Sequence, residues 1–191
     1  DMIHLVDLDA TLGLGSNLEL IKKIVSSVSI PIEIAGGLRS ESLILEALNI
    51  VDRVVIGTFA FKEPELLQNL LTTLGPQKIV ISVDHKDGII VTHGWQSTTD
   101  ISLIDSMKEF LHVGFTEFLL TNVNRDGTLE GPDLEFLQDA CDLDKANVIA
   151  SGGISNIDDI PKVKERNAWG VILGKALYEN KITIEETKKL S

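Results

Sequence analysis

Short apolar, β-branched runs recur along the chain at residues 3–8, 30–34, 53–57, 78–83, 117–121, 147–151 and 170–174. A strand with one wet face alternates apolar and polar residues. Runs without alternation predict strands buried on both faces. Between them lie stretches of helical period. Ser16 and Glu19 have capping-box spacing ahead of Leu18, Ile21, Val25 and Val28, which share one helix face. Pro64 opens a helix with Leu66, Leu67, Leu70, Leu71 and Leu74 inward, and Gly75-Pro76 stops it. Ile101, Ile104, Met107, Phe110 and Leu111 form a further stripe ended by Gly114. Pro132 opens a helix carrying Leu134, Phe136 and Leu137, and Thr183 with Glu186 predicts a capped last helix.

Alternating strands and helices imply a parallel sheet. Seven βα units with short loops favour a closed barrel over an open doubly wound sheet. An internal repeat sharpens this. Gly15-Ser16-Asn17-Leu18-Glu19-Leu20-Ile21 matches Gly131-Pro132-Asp133-Leu134-Glu135-Phe136-Leu137, an offset of 116 from 15 to 131. Ala35-Gly36-Gly37-Leu38 matches Ser151-Gly152-Gly153-Ile154 at the same offset, and Asp9-Ala10-Thr11 and Gly57 match Asp126-Gly127-Thr128 and Gly174 at 117. This pattern predicts a duplicated half-barrel. On the same offset the mate of the strand ending at Asp84 falls before Asp1. The expected fold is therefore an α/β, (βα)8 TIM barrel, with seven of its eight βα units in this chain. Residues 1–191 are read as one phosphate-binding domain lacking its first strand and helix.

The chain is 43% apolar and 24% charged, the balance of a globular protein. A net charge of −12 argues against nucleic acid and anionic membrane surfaces as partners. No apolar run reaches the roughly 18 residues of a spanning helix. The single cysteine, Cys141, excludes an internal disulfide and suits a reducing cytoplasm. It lies late on a helix with no base nearby in sequence, as a buried, inert thiol would. His4, His85, His93 and His112 lack metal-ligand spacing, so no metal is expected. No serine lies in a nucleophile elbow.

Barrel chemistry sits at the C-terminal strand ends. Those ends carry Asp7, Asp9, Gly36, Gly37, Gly57, Asp84, Thr121, Asp126, Gly152, Gly153 and Gly174. Gly36-Gly37 and Gly152-Gly153 each follow a strand and precede a helix start, at Ser40 and at Ser155 or Asn156. Glycine allows backbone N–H groups to approach an anion closely. One such pair is as well explained by a tight turn. Two pairs at repeat-related positions, each completed by Gly57 or Gly174, point to a small-molecule ligand with two phosphates. Arg39 is a candidate for a bidentate phosphate contact, or a solvated side chain. Asp84 closes a buried strand, which is costly unless the carboxylate faces a polar cavity or is paired. That makes it the leading general acid or base, with a cap or supporting role as the alternative. Asp126, in Asn124-Arg125-Asp126-Gly127-Thr128, fits both chemistry and a turn. Thr121 offers a hydrogen bond near the ligand. Trp95 follows a hairpin-like excursion beginning at Asp87-Gly88 and is a candidate cover for a planar ligand. Trp169 is read as core or interface.

The combination Val6-Asp7-Leu8-Asp9, Gly36-Gly37-Leu38-Arg39-Ser40, Ser82-Val83-Asp84, Asn124-Arg125-Asp126-Gly127-Thr128 and Ala150-Ser151-Gly152-Gly153-Ile154-Ser155 resembles the histidine-biosynthesis (βα)8 barrels over essentially the whole chain. Within them, Val55-Ile56-Gly57-Thr58, Gly94-Trp95 and Gly174-Lys175-Ala176-Leu177-Tyr178-Glu179 are closer to the phosphoribosylformimino-aminoimidazole carboxamide ribotide isomerases than to the sister cyclases. The resemblance implies an Amadori rearrangement of an aminated ribose phosphate, without a cofactor, in the cytoplasm. It implies Asp84 as general acid, Thr121 beside the reacting sugar and Asp126 in acid–base work. It adds Thr58, Lys175 and Trp95 to the glycines and Arg39 as substrate contacts. It also implies a monomer for the intact form, with self-association open to a truncated one. The family's other catalytic aspartate belongs to the first strand, so weak or no activity is expected of these residues alone. Ala35 also stands where the family usually has a third glycine. Rival readings are the ring-closing cyclase, an isomerase that also serves tryptophan synthesis, and a phosphate-binding barrel without catalysis.

Overall fold

In the computed structural model, which describes residues 1–190, the strands form one mostly parallel sheet. They are β1 (Ile3–Val6), β2 (Ile32–Ala35), β3 (Arg53–Ile56), β4 (Ile79–Lys86), β5 (Ile89–Thr92), β6 (Ser97–Ser102), β7 (Glu117–Asn122), β8 (Asn147–Ser151) and β9 (Gly170–Val171). Seven of them run parallel in the order β1-β2-β3-β4-β7-β8-β9 and curl into a partial TIM barrel. β5 turns back antiparallel on the end of β4, and β6 pairs only with β5. Among the described residues the parallel run ends at β1 on one side and β9 on the other.

Side-chain alternation sends each run into two different cores, which is why the strands read as continuously apolar. One set meets the helices: Val54, Ile56, Ile79, Ile81, Val83, Phe118, Leu120 and Val148 pack with Ile44, Leu67, Leu70, Leu103, Met107 and Leu137. The other points into the barrel, where Val55, Val80, Leu119 and Ile149 form a separate cluster with Ala35 and Ile172 against it. At the N-terminal strand ends this inner cluster gives way to an ionic layer that the apolar pattern does not foretell. Arg53 Nε donates to Glu33 at 2.8 Å and its Nη1 lies 3.7 Å from Glu117, all three residues buried. His4 bonds Glu33 at 2.7 Å, and Asn147 donates to Glu117 at 2.7 Å. The Glu33 carboxyl titrates below its ordinary range. Burial alone would raise it, but the His4 hydrogen bond and the Arg53 charge prevail. Trp169 is not core: it is 57% exposed and covers Arg53, 5.4 Å from the ring centre.

The helices are α1 (Leu8–Leu12), α2 (Leu18–Ser27), α3 (Glu41–Leu48), α4 (Thr58–Lys62), α5 (Pro64–Leu74), α6 (Leu103–Val113), α7 (Leu134–Cys141), α8 (Asp159–Lys164), α9 (Lys175–Tyr178) and α10 (Ile184–Thr187). Pro64 stands in the first turn of α5, Gly114 caps α6 in the left-handed conformation, and Thr183 with Glu186 forms a full capping box. Four expected details change. Asn17, not Ser16, caps α2, and Glu19 pairs with Lys22 instead of closing a box. Ile101 lies on β6, because the excursion after Gly88 returns as a strand before Ser102 caps α6. Asp133 caps α7, one residue after Pro132, since its carboxylate accepts from the Phe136 N–H. α8 starts at Asp159, whose buried carboxylate gathers the Ser155 N–H and hydroxyl and so holds Ser155 outside the helix. No helix among the described residues is long and apolar enough to cross a membrane.

Candidate active site

Asp84 lies near the C-terminal end of β4, two residues beyond Ser82 and therefore on the same, inward face. The Ser82 hydroxyl donates to Asp84 Oδ1 at 2.8 Å, and the Trp95 indole N–H donates to Oδ2 at 2.7 Å. Thr121, its register neighbour on β7, adds a third hydrogen bond. Burial still holds the Asp84 carboxyl above the ordinary aspartate range. The three donors oppose that rise and the Asp126 charge adds to it. A carboxyl whose proton affinity is raised in this way is better suited to act as an acid than an ordinary aspartate.

Trp95 reaches Asp84 because the β5–β6 hairpin bends across the mouth. His93, Gly94 and Trp95 all adopt positive φ, at 57°, 62° and 68°. The tip docks on α4: the His93 N–H donates to Thr58 Oγ1 at 2.8 Å, and Lys62 Nζ lies 2.7 Å from His93 Nε2. On its other side a Cβ at Gly94 would sit 3.3 Å from the Thr11 methyl, so the tip also touches α1. Trp95 is 46% exposed.

Asp126 lies in the loop after β7, exposed at the rim, with its carboxyl raised by partial burial. Asn122 anchors that loop through a short hydrogen bond to Asp133. Lys175 Nζ donates to the Gly127 carbonyl at 2.8 Å and lies 3.8 Å from Glu179, so its charge is directed at the same loop.

The glycine pairs occupy matching backbone states. Gly36 and Gly37 have φ of 102° and 71°, and Gly152 and Gly153 have 87° and 81°. Close approach requires them. A Cβ at Gly36 would lie 2.4 Å from the Asp7 carbonyl oxygen, and one at Gly153 2.3 Å from the Gly131 carbonyl oxygen. Gly57 and Gly174, the residues before α4 and α9, repeat one conformation at φ/ψ of −100°/−105° and −103°/−105°. The duplication read from the sequence thus extends to dihedral angles. A cavity of about 320 Å³ opens beside Gly36-Gly37, bounded also by Gly13, Gly15 and Arg39. The Arg39 guanidinium donates to the Ala10 and Thr11 carbonyls at 3.2 and 2.6 Å, so it clamps the loop over this cavity.

Asp7 and Asp9 have local work. Asp7 is buried, caps α1 and accepts from the Asn17 backbone and side chain, while Asp9 accepts from Asn17 as well. Cys141 is half-buried, and burial pushes its thiol up to about 11, beyond nucleophilic use. Among the described residues no three His, Cys, Asp or Glu side chains gather as for a metal ion. Sequence reading passed over Ser82 and the His93–Lys62–Thr58 docking. The two-residue strand period was the available signal for Ser82. Nothing local announced the docking, whose members are 31 and 35 residues apart.

The model of the histidine biosynthesis protein family matches residues 1–183. The chain is 64% identical over 190 residues to the 1-(5-phosphoribosyl)-5-((5-phosphoribosylamino)methylideneamino) imidazole-4-carboxamide isomerase of Nitrosopumilus maritimus (strain SCM1), covering 100% of this chain and 80% of that protein. It is 52% identical to the protein of the same name in Cenarchaeum symbiosum (strain A), over 97% of this chain and 79% of the relative. The corresponding protein of Lachnoclostridium phytofermentans is 39% identical, over 98% of this chain and 80% of its own length. With its parallel barrel strands, duplicated glycine turns and full-length similarity to these isomerases, the chain belongs to the histidine biosynthesis protein family.

Proposed function

We propose that this chain carries the isomerase chemistry for which its relatives are named: the aldose-to-ketose rearrangement of an aminated ribose phosphate joined to a second phosphoribosyl group. The observation that carries this reading is the setting of Asp84. It is a carboxyl with raised proton affinity at the barrel mouth, hydrogen-bonded to a half-exposed tryptophan. In the strand order it is flanked by the Gly36-Gly37 turn after β2 and the Gly152-Gly153 turn after β8.

In this reading Asp84 protonates the ribose ring oxygen, and the ring opens to a Schiff base. A carboxylate base then removes the C2 proton, and the enolamine collapses to the ketose. Asp126, in electrostatic reach of Asp84, is the candidate second carboxylate among the described residues. Thr121 orients the acid from the neighbouring strand. Gly36, Gly37 and Gly57 cradle one phosphate and Gly152, Gly153 and Gly174 the other, with Thr58 and Lys175 beside them. Arg39 holds the first cradle closed through its carbonyl contacts. Trp95 covers the planar imidazole and excludes water. The small phosphorylated substrate fits a cytoplasmic, cofactor-free enzyme that acts as a monomer.

The test is turnover of the aldose ribotide, read by formation of the ketose. It is run on residues 1–191 and, in parallel, on the whole relative of which this chain covers 80%. Asp84→Asn lowers kcat by about 10²–10⁴-fold in whichever form is active, the size of a lost general acid. We expect residues 1–191 alone to turn over weakly or not at all, because β1 and β9 leave the sheet open between them. Absence of turnover in both forms, with conversion of the ketose and ammonia instead, moves the assignment to the cyclase.

A further inference from the structure

Ser82 does not belong to the apolar layer in which it stands. Its register neighbour on β7 is Leu119, and two residues earlier on the same face Val80 packs in the inner apolar cluster. A hydroxyl in such a layer is costly unless it is hydrogen-bonded. The Ser82 hydroxyl meets this need by donating to Asp84 Oδ1 at 2.8 Å. The terminal torsion of an aspartate is soft, so nothing intrinsic fixes which oxygen faces the mouth. The two oxygens of Asp84 meet different donors. Oδ1 meets a side chain of the same strand, fixed by the sheet. Oδ2 meets Trp95, on a hairpin tip that crosses the mouth through three consecutive positive-φ residues.

We infer that Ser82 is a positioning residue for Asp84: fixed by the sheet on Oδ1 while the donor-only indole meets Oδ2, its hydroxyl locks the carboxyl plane. That this lock serves the chemical step rests on the isomerase reading. The lock itself does not.

The test separates the two. The Asp84 carboxyl resonance is followed by NMR on aspartate-labelled protein, assigned by its loss in Asp84→Asn, and titrated without substrate. Ser82→Ala removes a donor to the charged form, so the midpoint rises by about one pH unit. Ser82→Thr, which restores a hydroxyl, returns it to the starting value. In the form that turns over the aldose ribotide, Ser82→Ala shifts the alkaline limb of kcat/KM upward by the same interval. It lowers kcat about tenfold with little change in KM, since a misaligned acid costs the chemical step and not binding. An unmoved midpoint in Ser82→Ala, or an equal shift in Ser82→Thr, overturns the assignment. A shifted midpoint without turnover in any form overturns the isomerase reading and leaves Ser82 as the residue that locks Asp84.

Discussion

Asp84 and Trp95 form a pair whose members alter each other. The indole N–H favours the ionised carboxylate, while burial favours the protonated acid, and burial prevails. Trp95→Phe keeps an aromatic cover and removes the donor. The Asp84 midpoint should therefore rise, and activity that depends on the protonated form should persist to higher pH. The same carboxyl titration measures it, and a midpoint that falls or stays fixed contradicts the 2.7 Å contact as a solution feature. Asp84 was legible in the sequence because a carboxylate ending a buried strand is expensive. Its environment was not. Trp95 is 11 residues away across a hairpin, and only the bend at residues 93–95 brings it back onto the strand end. Arg39 shows the opposite outcome. A cation next to a glycine pair suggests a direct anion contact, yet its guanidinium is engaged by two carbonyls of α1.

At the scale of elements, the repeat is a statement about turns. Gly37 and Gly153 hold φ of 71° and 81°, and a Cβ on either would lie 2.3 Å from a neighbour, Ala10 Cβ or the Gly131 carbonyl. The left-handed backbone alone costs a non-glycine residue about 1–2 kcal/mol. Gly37→Ala and Gly153→Ala should each destabilise by at least that amount in chemical denaturation, with α1 displaced in one and the residue 131 loop in the other. If each acts as a phosphate cradle, the folded fraction of either variant also binds inorganic phosphate less tightly. Normal phosphate affinity in both would leave these glycines as turn residues only. Helix starts were less legible than turns. Ser16, Pro132 and Ser155 all carry start signals, but Asn17, Asp133 and Asp158 take the cap positions. In each case the decision falls to a carboxylate or amide with a tertiary partner: Asn17 on Asp7, Asp133 with Asn122, and Asp159 drawing in Ser155.

At the scale of the whole molecule, the titrating groups make the fold acid-sensitive. His85 is fully buried beside the Phe136 ring, with Nε2 lacking a partner among the described residues. Burial lowers its proton affinity, against the opposing pull of Asp133 and Asp87. The unfolded chain therefore takes up a proton near the ordinary imidazole value of 6.5 before the folded one does, and stability falls as pH drops through that value. A second loss follows below about 4.5. Glu33 titrates low despite its burial because of His4 and Arg53, and Asp7 and Asp159 titrate low through their hydrogen bonds. Those three contribute stability that is present above their unfolded values and lost below them. Melting temperature measured from pH 8 to 2 should decline in these two steps, and His85→Gln should flatten the upper one. Glu33→Ala leaves Arg53 with only the more distant Glu117 and should cost about 3–5 kcal/mol at neutral pH, as for a broken buried pair.

The sequence by itself determined the parallel α/β architecture, the duplication and the candidate acid. These depend on periodicity, on glycine at forced backbone states and on the cost of a carboxylate at a buried strand end, all of which are local. Tertiary structure alone decided the rest. It placed Glu33, Arg53 and Glu117 in one buried ionic layer, because strand register brings the N-terminal ends of three strands together. It laid the hairpin across the mouth, because Thr58 and Lys62 offer a docking point some thirty residues earlier in the chain. It gave the acid its donors, because Ser82 shares a strand face with Asp84 while Trp95 and Thr121 arrive from other elements.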